Sequence, residues 1–294
     1  MKSSWLWVVL LVVLPLMKSD MVFSDFKPLG PPKASFKITP VSLNGGSRLM
    51  VVSPNEWYPL AQKLSKYLQD THDQYAKLFG TIPAFQTTLR VIDAETFYKE
   101  TGAPTWTNAM YFRGEITIPL QIDEPIELED LQRSVKHEYM HSVINALSAG
   151  RCPGWLDEGL AQWIEGTVNP ALEPSLKKWM FFNEPIPLER LQGGFTKLET
   201  DMVAPAYGQS LFAAKTVIHS FGFEEISKYL EALRNGKTKE SAFTASFEVS
   251  ENGFEKALSK SLKRWAYGNQ SLKIASNIKL DSHNHNDERG QFSK

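Results

Sequence analysis

The sequence predicts an α+β fold on two observations. Short apolar runs bounded by turn residues alternate with long helical patterns through the first half, and the second half reads as mainly helical. Arg48–Ser53 (RLMVVS) is the first strand. Pro54 and Asn55 then open a helix that runs to Phe79, with Leu60, Leu64, Tyr67 and Leu68 at helical spacing and Gly80 closing it. Thr88–Asp93 (TLRVID) and Met110–Leu120 (MYFRGEITIPL) read as two further strands. Leu128–Leu147 is helical, with Leu131, Val135, Ile144 and Leu147 on its apolar side and Gly150 past its end. No internal repeat is present.

Composition narrows the class of function. With 294 residues, 42% hydrophobic and 22% charged, the chain suffices for one large or two modest globular domains. A formal net charge of −1, without a Lys/Arg run or a GxGxxG, argues against a nucleic-acid partner. Cys152 is the single cysteine, so no intrachain disulfide forms and stability has to come from packing.

The two ends differ from the middle. Lys2 precedes an apolar run from Trp5 to Leu16 that is short for a bilayer span and is followed by Lys18, Ser19 and Asp20. Residues 1–24 therefore read as a signal peptide with cleavage near Ser24, or alternatively as an uncleaved membrane anchor. Either way the mature protein is expected to be secreted, periplasmic or otherwise extracytoplasmic, with a possible tether through this segment. Residues 276–294 are polar, carry His283 and His285, and read as a disordered tail.

The chemistry concentrates at Val135–His141, VKHEYMH. On a helix, residues four apart are rotated by only about 40° and lie about 6 Å apart along the axis, so His137 and His141 are able to reach one ion. Zinc suits two imidazoles at about 2.0–2.1 Å, with a third protein ligand and a fourth position for water. Glu138 lies beside the pair, placed to take a proton from that water. Downstream, Gly150–Gly154 forms a turn that lets a second helix, PGWLDEGLAQWIEG (153–166), fold back with Glu158 facing the histidines as third ligand. Trp155, Leu156, Leu160, Trp163 and Ile164 supply an apolar lining.

HEYMH followed by WLDEGLA resembles the gluzincin metallopeptidases, most closely the peptidase MA-like families. The order of elements, the strand EITIPL before the active helix, the phrase AYGQSLFAAKTVIHSFG (206–222) and the closing helices through about Tyr267 resemble them too. The resemblance implies a zincin-like fold, with a mixed sheet packed on the HExxH helix and a mainly helical C-terminal lobe. It implies one zinc held by His137, His141 and Glu158, Glu138 as general base, and a peptide or protein substrate. Residues 25–150 then form the α/β lobe ending in the HExxH helix, and 151–275 the helical lobe carrying the third ligand. Met110–Leu120 would be the edge strand that pairs with substrate, so proline at Ile116 or Ile118 would lower turnover with metal still bound. Larger members that trim N-termini carry a GxMEN-type loop, which is missing here and argues against an aminopeptidase.

Several residues keep two readings. Tyr207, in an AYGQS segment that opens a helix, is either the phenol donor to the oxyanion, as gluzincins commonly provide, or a core ring on the stripe with Leu211, Ala214 and Ile218. Cys152 is either a silencing fourth ligand or a small buried filler. His72 and His219 read as structural, and Trp106, Trp155, Trp163, Trp179 and Trp265 as packing. For the whole chain, a zinc peptidase stands against a non-catalytic binding module that kept the zincin fold; the sequence leaves oligomeric state open.

Overall fold

Apolar residues at every second position of RLMVVSP and QTTLRVID place Leu49, Val51, Leu89 and Val91 on one face of a sheet, where each is essentially inaccessible. The computed structural model describes residues 29–30, 35–103, 107–121, 127–166, 169–195 and 198–268. The N-terminal signal or anchor, Trp106, and the polar tail with His283 and His285 lie outside the described residues. In chain order the elements are β1 (Phe36–Ser42), β2 (Arg48–Pro54), α1 (Tyr58–Phe79), β3 (Gln86–Asp93), α2 (Ala94–Thr101), β4 (Met110–Phe112) and β5 (Glu115–Leu120). Then follow α3 (Leu128–Ser148), α4 (Gly154–Glu165), α5 (Leu172–Phe182), α6 (Thr200–Arg234), α7 (Lys239–Phe247) and α8 (Glu251–Tyr267). The fold is α+β, as the sequence suggests.

The sheet is mixed, in the order β1-β2-β3-β5-β4, with β2, β3 and β5 parallel and both outer strands antiparallel to their neighbours. One face meets α1 and α3 in the main core, and the other packs Ile92 against Phe97 of α2. The same main core continues through α4, α6 and α8 to Trp265, so the sheet and the helical half share one apolar interior. Leu64, Leu68, Tyr75 and Phe79 bury the inner stripe of α1, while Leu60 and Tyr67 flank it half-buried. Within the described residues no helix is long and apolar enough to cross a membrane.

The Met110–Leu120 strand needs correction. It is a hairpin, β4 and β5, turned at Arg113 and Gly114, whose φ values of 49° and 85° give the left-handed pair of a tight hairpin turn. β5 lies inside the sheet, paired on both sides, and Ile116 and Ile118 are fully buried. The edge strand is β4. Ile116→Pro is therefore expected to unfold the protein, because a proline there removes a ladder N–H in mid-sheet and fixes φ. Circular dichroism melting checks this, and a native melting curve would contradict the placement of β5.

α3 is locked from two sides, which fixes the direction of its histidines. Tyr139 is fully buried and its hydroxyl lies 2.8 Å from His72 Nδ1 on α1; His72 Nε2 lies 3.0 Å from the Asn44 carbonyl. The ring of Tyr75 stacks on Tyr139 and its hydroxyl donates to the Lys136 carbonyl at 3.0 Å. Ser142 Oγ and Thr87 Oγ1, 3.1 Å apart, tie the helix to β3. His72 is thus structural as expected, whereas His219 is exposed on α6.

Candidate metal centre

α3 ends with Ala149 and Gly150 both left-handed, at φ 51° and 70°, so the chain reverses within a few residues and α4 returns along α3. The short side of α4 allows close approach: a Cβ at Gly159 would lie 2.3 Å from the Ser210 carbonyl oxygen of α6, so a larger residue would push the two helices apart. Trp155, Leu156 and Leu160 are fully buried beneath α4, while Trp163 and Ile164 pack half-buried at the margin of the core. α4 thereby brings Glu158 to the histidines of α3.

The donor atoms of His137, His141 and Glu158 all lie within 4.8 Å of one another, the one such cluster of metal-ligating side chains among the described residues. Glu158 Oε2 is 4.0 Å from His137 Nε2 and 3.9 Å from His141 Nε2. Those separations are too long for hydrogen bonds, while two ligands of one tetrahedral zinc stand roughly 3.4 Å apart. The other ring nitrogens are occupied: His137 Nδ1 lies 3.2 Å from Glu165 Oε2, and His141 Nδ1 lies 2.8 Å from Asp157 Oδ1. Carboxylates at Nδ1 fix both rings with Nε2 turned toward Glu158. Arg133 in turn holds Glu165 at 3.2 Å and Asp130 at 3.0 Å. A cation fits this donor set, because it would sit between three converging groups that stand too far apart to hydrogen-bond one another.

The electrostatics of the cluster agree. Burial opposes charge on His141, yet Asp157 and Glu158 beside it push the imidazole up to about 10. Burial likewise opposes charge on His137, which is raised overall by Glu165 and Glu138. Burial raises the Glu158 carboxyl, against the pull of His141 and His137. A metal has to displace the imidazole protons, so its affinity rises with pH.

Glu138 points from α3 to the edge of the sheet, where its Oε2 accepts the Tyr111 N–H of β4 at 2.7 Å. The Tyr111 ring lies nearly parallel to that of His141, with centroids 6.1 Å apart. Tyr207 is half-buried against Phe195, at 5.0 Å between centroids. Burial raises its phenol well above the usual tyrosine range, and the charges of Glu158 and Glu138 raise it further. The Tyr207 carbonyl accepts from Gln162 Nε2 of α4 at 3.1 Å, and α6 begins at Thr200, so the AYGQS segment lies within the helix, not at its opening. Cys152 stays outside the donor set; its thiol donates to the Pro153 carbonyl at 3.6 Å and burial holds it well above its ordinary range.

Sequence reasoning missed Asp157, Glu165, Arg133 and the Tyr111 amide. The spacing of Asp157 and Glu165, one residue before and seven after Glu158, was visible, and both lie on the α4 face turned to α3.

No curated protein sequence matches the chain. Among solved structures it is similar to aminopeptidase A of Legionella pneumophila, at 12% identity and TM-score 0.48, over 75% of this chain and 27% of that one. It is also similar to an aminopeptidase N family protein of Idiomarina loihiensis, at 11% identity and TM-score 0.49, over 81% of this chain and 47% of that one. An M1 zinc metallopeptidase of Deinococcus radiodurans aligns at 14% identity and TM-score 0.43, over 79% of this chain and 52% of that one. The chain thus spans between about a quarter and a half of the length of these proteins. The profile of the Peptidase MA superfamily matches residues 62–264, more than half of the chain and the whole of the cluster just described, and the chain belongs to that superfamily.

Proposed function

We propose that the protein is an extracytoplasmic zinc peptidase that hydrolyses peptide bonds with Glu138 as general base. The observation that carries this reading is the convergence of His137, His141 and Glu158, with Glu138 held beside them by the edge strand. Two imidazoles and a carboxylate suit zinc, and the remaining position suits water. When bound, zinc supplies Lewis acidity, bringing the pKa of water toward 7 and polarising a carbonyl. Glu138 accepts the water's proton and returns it to the departing amine. Glu138 also ties α3 to β4, but metal held only for folding needs no adjacent base, which favours an enzyme over a binding module. Placement outside the cytoplasm rests on the signal-like residues 1–24.

The substrate strand is assigned to β4. Ladder alternation turns Met110 and Phe112 toward β5 and leaves the N–H and C=O groups of Ala109 and Tyr111 on the open edge. Glu138 takes the Tyr111 N–H, and an extended peptide pairing with the remaining edge groups would pass directly along the base. Incubation with a mixed peptide library, read by mass spectrometry, tests the reading. Cleavage that stops with a chelator and returns with zinc is expected; no cleavage under any metal loading would refute it.

Tyr207 is assigned as donor to the oxyanion, since Gln162 Nε2 donates to its carbonyl and to that of Glu158, at 3.1 Å each, and so sets Tyr207 beside the third donor. Tyr207→Phe removes the hydroxyl and little else. It is expected to lower kcat about 10²-fold, roughly 3 kcal/mol, with KM and melting temperature nearly unchanged. A ring that served only to pack on Phe195 would leave kcat at the wild-type value.

A further inference from the structure

The last turns of α5 and α8 lie together at the surface. The Tyr267 hydroxyl donates to the Met180 carbonyl at 3.1 Å, Lys263 pairs with Glu184, and the Lys177 ammonium stands 5.2 Å from the Trp265 ring centroid. Here Phe181 is 69% exposed, Phe182 73% and Tyr267 70%; the one other comparably exposed large hydrophobic among the described residues is Ile38. The two phenylalanine rings meet edge to face, 4.9 Å between centroids. Water-facing aromatics gathered at two helix ends mark a surface that something covers.

The charges around them indicate what. Lys178 lies one turn before Phe181 and Phe182 on the exposed face of α5, and Lys256, Lys260 and Arg264 are exposed on α8 leading to Tyr267. None of these four cations has a carboxylate within ion-pair distance among the described residues, whereas Glu173 and Glu184 nearby are held by Lys177 and Lys263. Lysine is depleted at protein–protein interfaces, so three lysines around an aromatic tip fit another protein poorly. They fit a surface of mobile anions. Aromatic rings settle at the headgroup level of a bilayer, and each lysine or arginine near an anionic leaflet adds to the attraction.

We propose that this face docks on an anionic lipid bilayer, with Phe181, Phe182 and Tyr267 entering the interface and Lys178, Lys256, Lys260 and Arg264 against the headgroups. Neither signal suffices alone, since interfacial binding combines apolar insertion with electrostatic attraction. The proposal does not depend on peptidase activity.

The test is co-sedimentation of the full chain with phosphatidylcholine vesicles, with and without a third of phosphatidylglycerol, at low and high salt. Wild type is expected to prefer the anionic vesicles and to release from them in salt. Phe181→Ser/Phe182→Ser should lower partitioning about tenfold or more, and Lys178→Ala/Lys260→Ala/Arg264→Ala should flatten the salt dependence, both with unchanged melting temperatures. Equal sedimentation of the double serine variant and wild type would overturn the proposal and assign any binding to the apolar N-terminal run. Indifference to lipid charge would also overturn it. So would loss of a dimer in that variant, seen by analytical ultracentrifugation, with vesicle binding unaffected, because the occupant would then be a second copy.

Discussion

Glu138→Gln is expected to leave the fold and metal binding intact while peptide hydrolysis falls about 10²- to 10⁴-fold. The amide has nearly the shape of the carboxylate, and its oxygen still accepts the Tyr111 N–H that now holds Glu138 at 2.7 Å. The three proposed ligands are separate side chains, so nothing in the cluster of His137, His141 and Glu158 is removed. What disappears is the carboxylate proposed to take a proton from water. Steady-state kinetics and metal content, measured on the same preparation, check it. Turnover equal to wild type would mean that another group serves as base or that the activity belongs to another protein.

His137→Ala and Glu158→Ala are each expected to abolish stoichiometric metal binding, and all metal-dependent turnover with it. Each removes one of the three converging donors, and among the described residues no fourth side chain joins that cluster. The supporting carboxylates give a graded comparison. Asp157 and Glu165 touch the histidines at Nδ1 and orient them, so Asp157→Ala or Glu165→Ala should retain the metal but weaken its affinity about 10- to 100-fold. Titration with a competing chelator measures both classes. Full metal occupancy in the two ligand variants would remove the assignment, and a loss in Glu165→Ala as severe as in His137→Ala would make Glu165 a ligand itself.

The parts of this site legible in the sequence are those that one helix encodes alone. His137, Glu138 and His141 are fixed relative to each other by helical geometry, and the break at Gly150 announces that α4 turns back. The partners of those residues are not local. Glu165 reaches His137 across 28 positions, and only the packing of α4 on α3 makes them neighbours. Local pattern failed most in the sheet. β1 (FKITPVS) is an outer strand with no fully buried residue, so it shows neither an apolar run nor a clean alternation. The hairpin β4–β5 looked like one strand because Arg113 takes a left-handed conformation that its side chain does not announce; Gly114 was the available signal. α2 is eight residues long and is set by a local cap, Asp93 accepting the Thr96 N–H at 2.8 Å, more than by periodicity.

The central claim is that His137, His141 and Glu158 together hold one zinc. Crystallographic anomalous scattering, recorded on both sides of the zinc absorption edge from the purified full chain, tests it most directly. A single strong difference peak bounded by His137 Nε2, His141 Nε2 and the Glu158 carboxylate is expected, as is its disappearance in His137→Ala. A fully occupied zinc elsewhere, with these three side chains left as they stand and no peak between them, would contradict it.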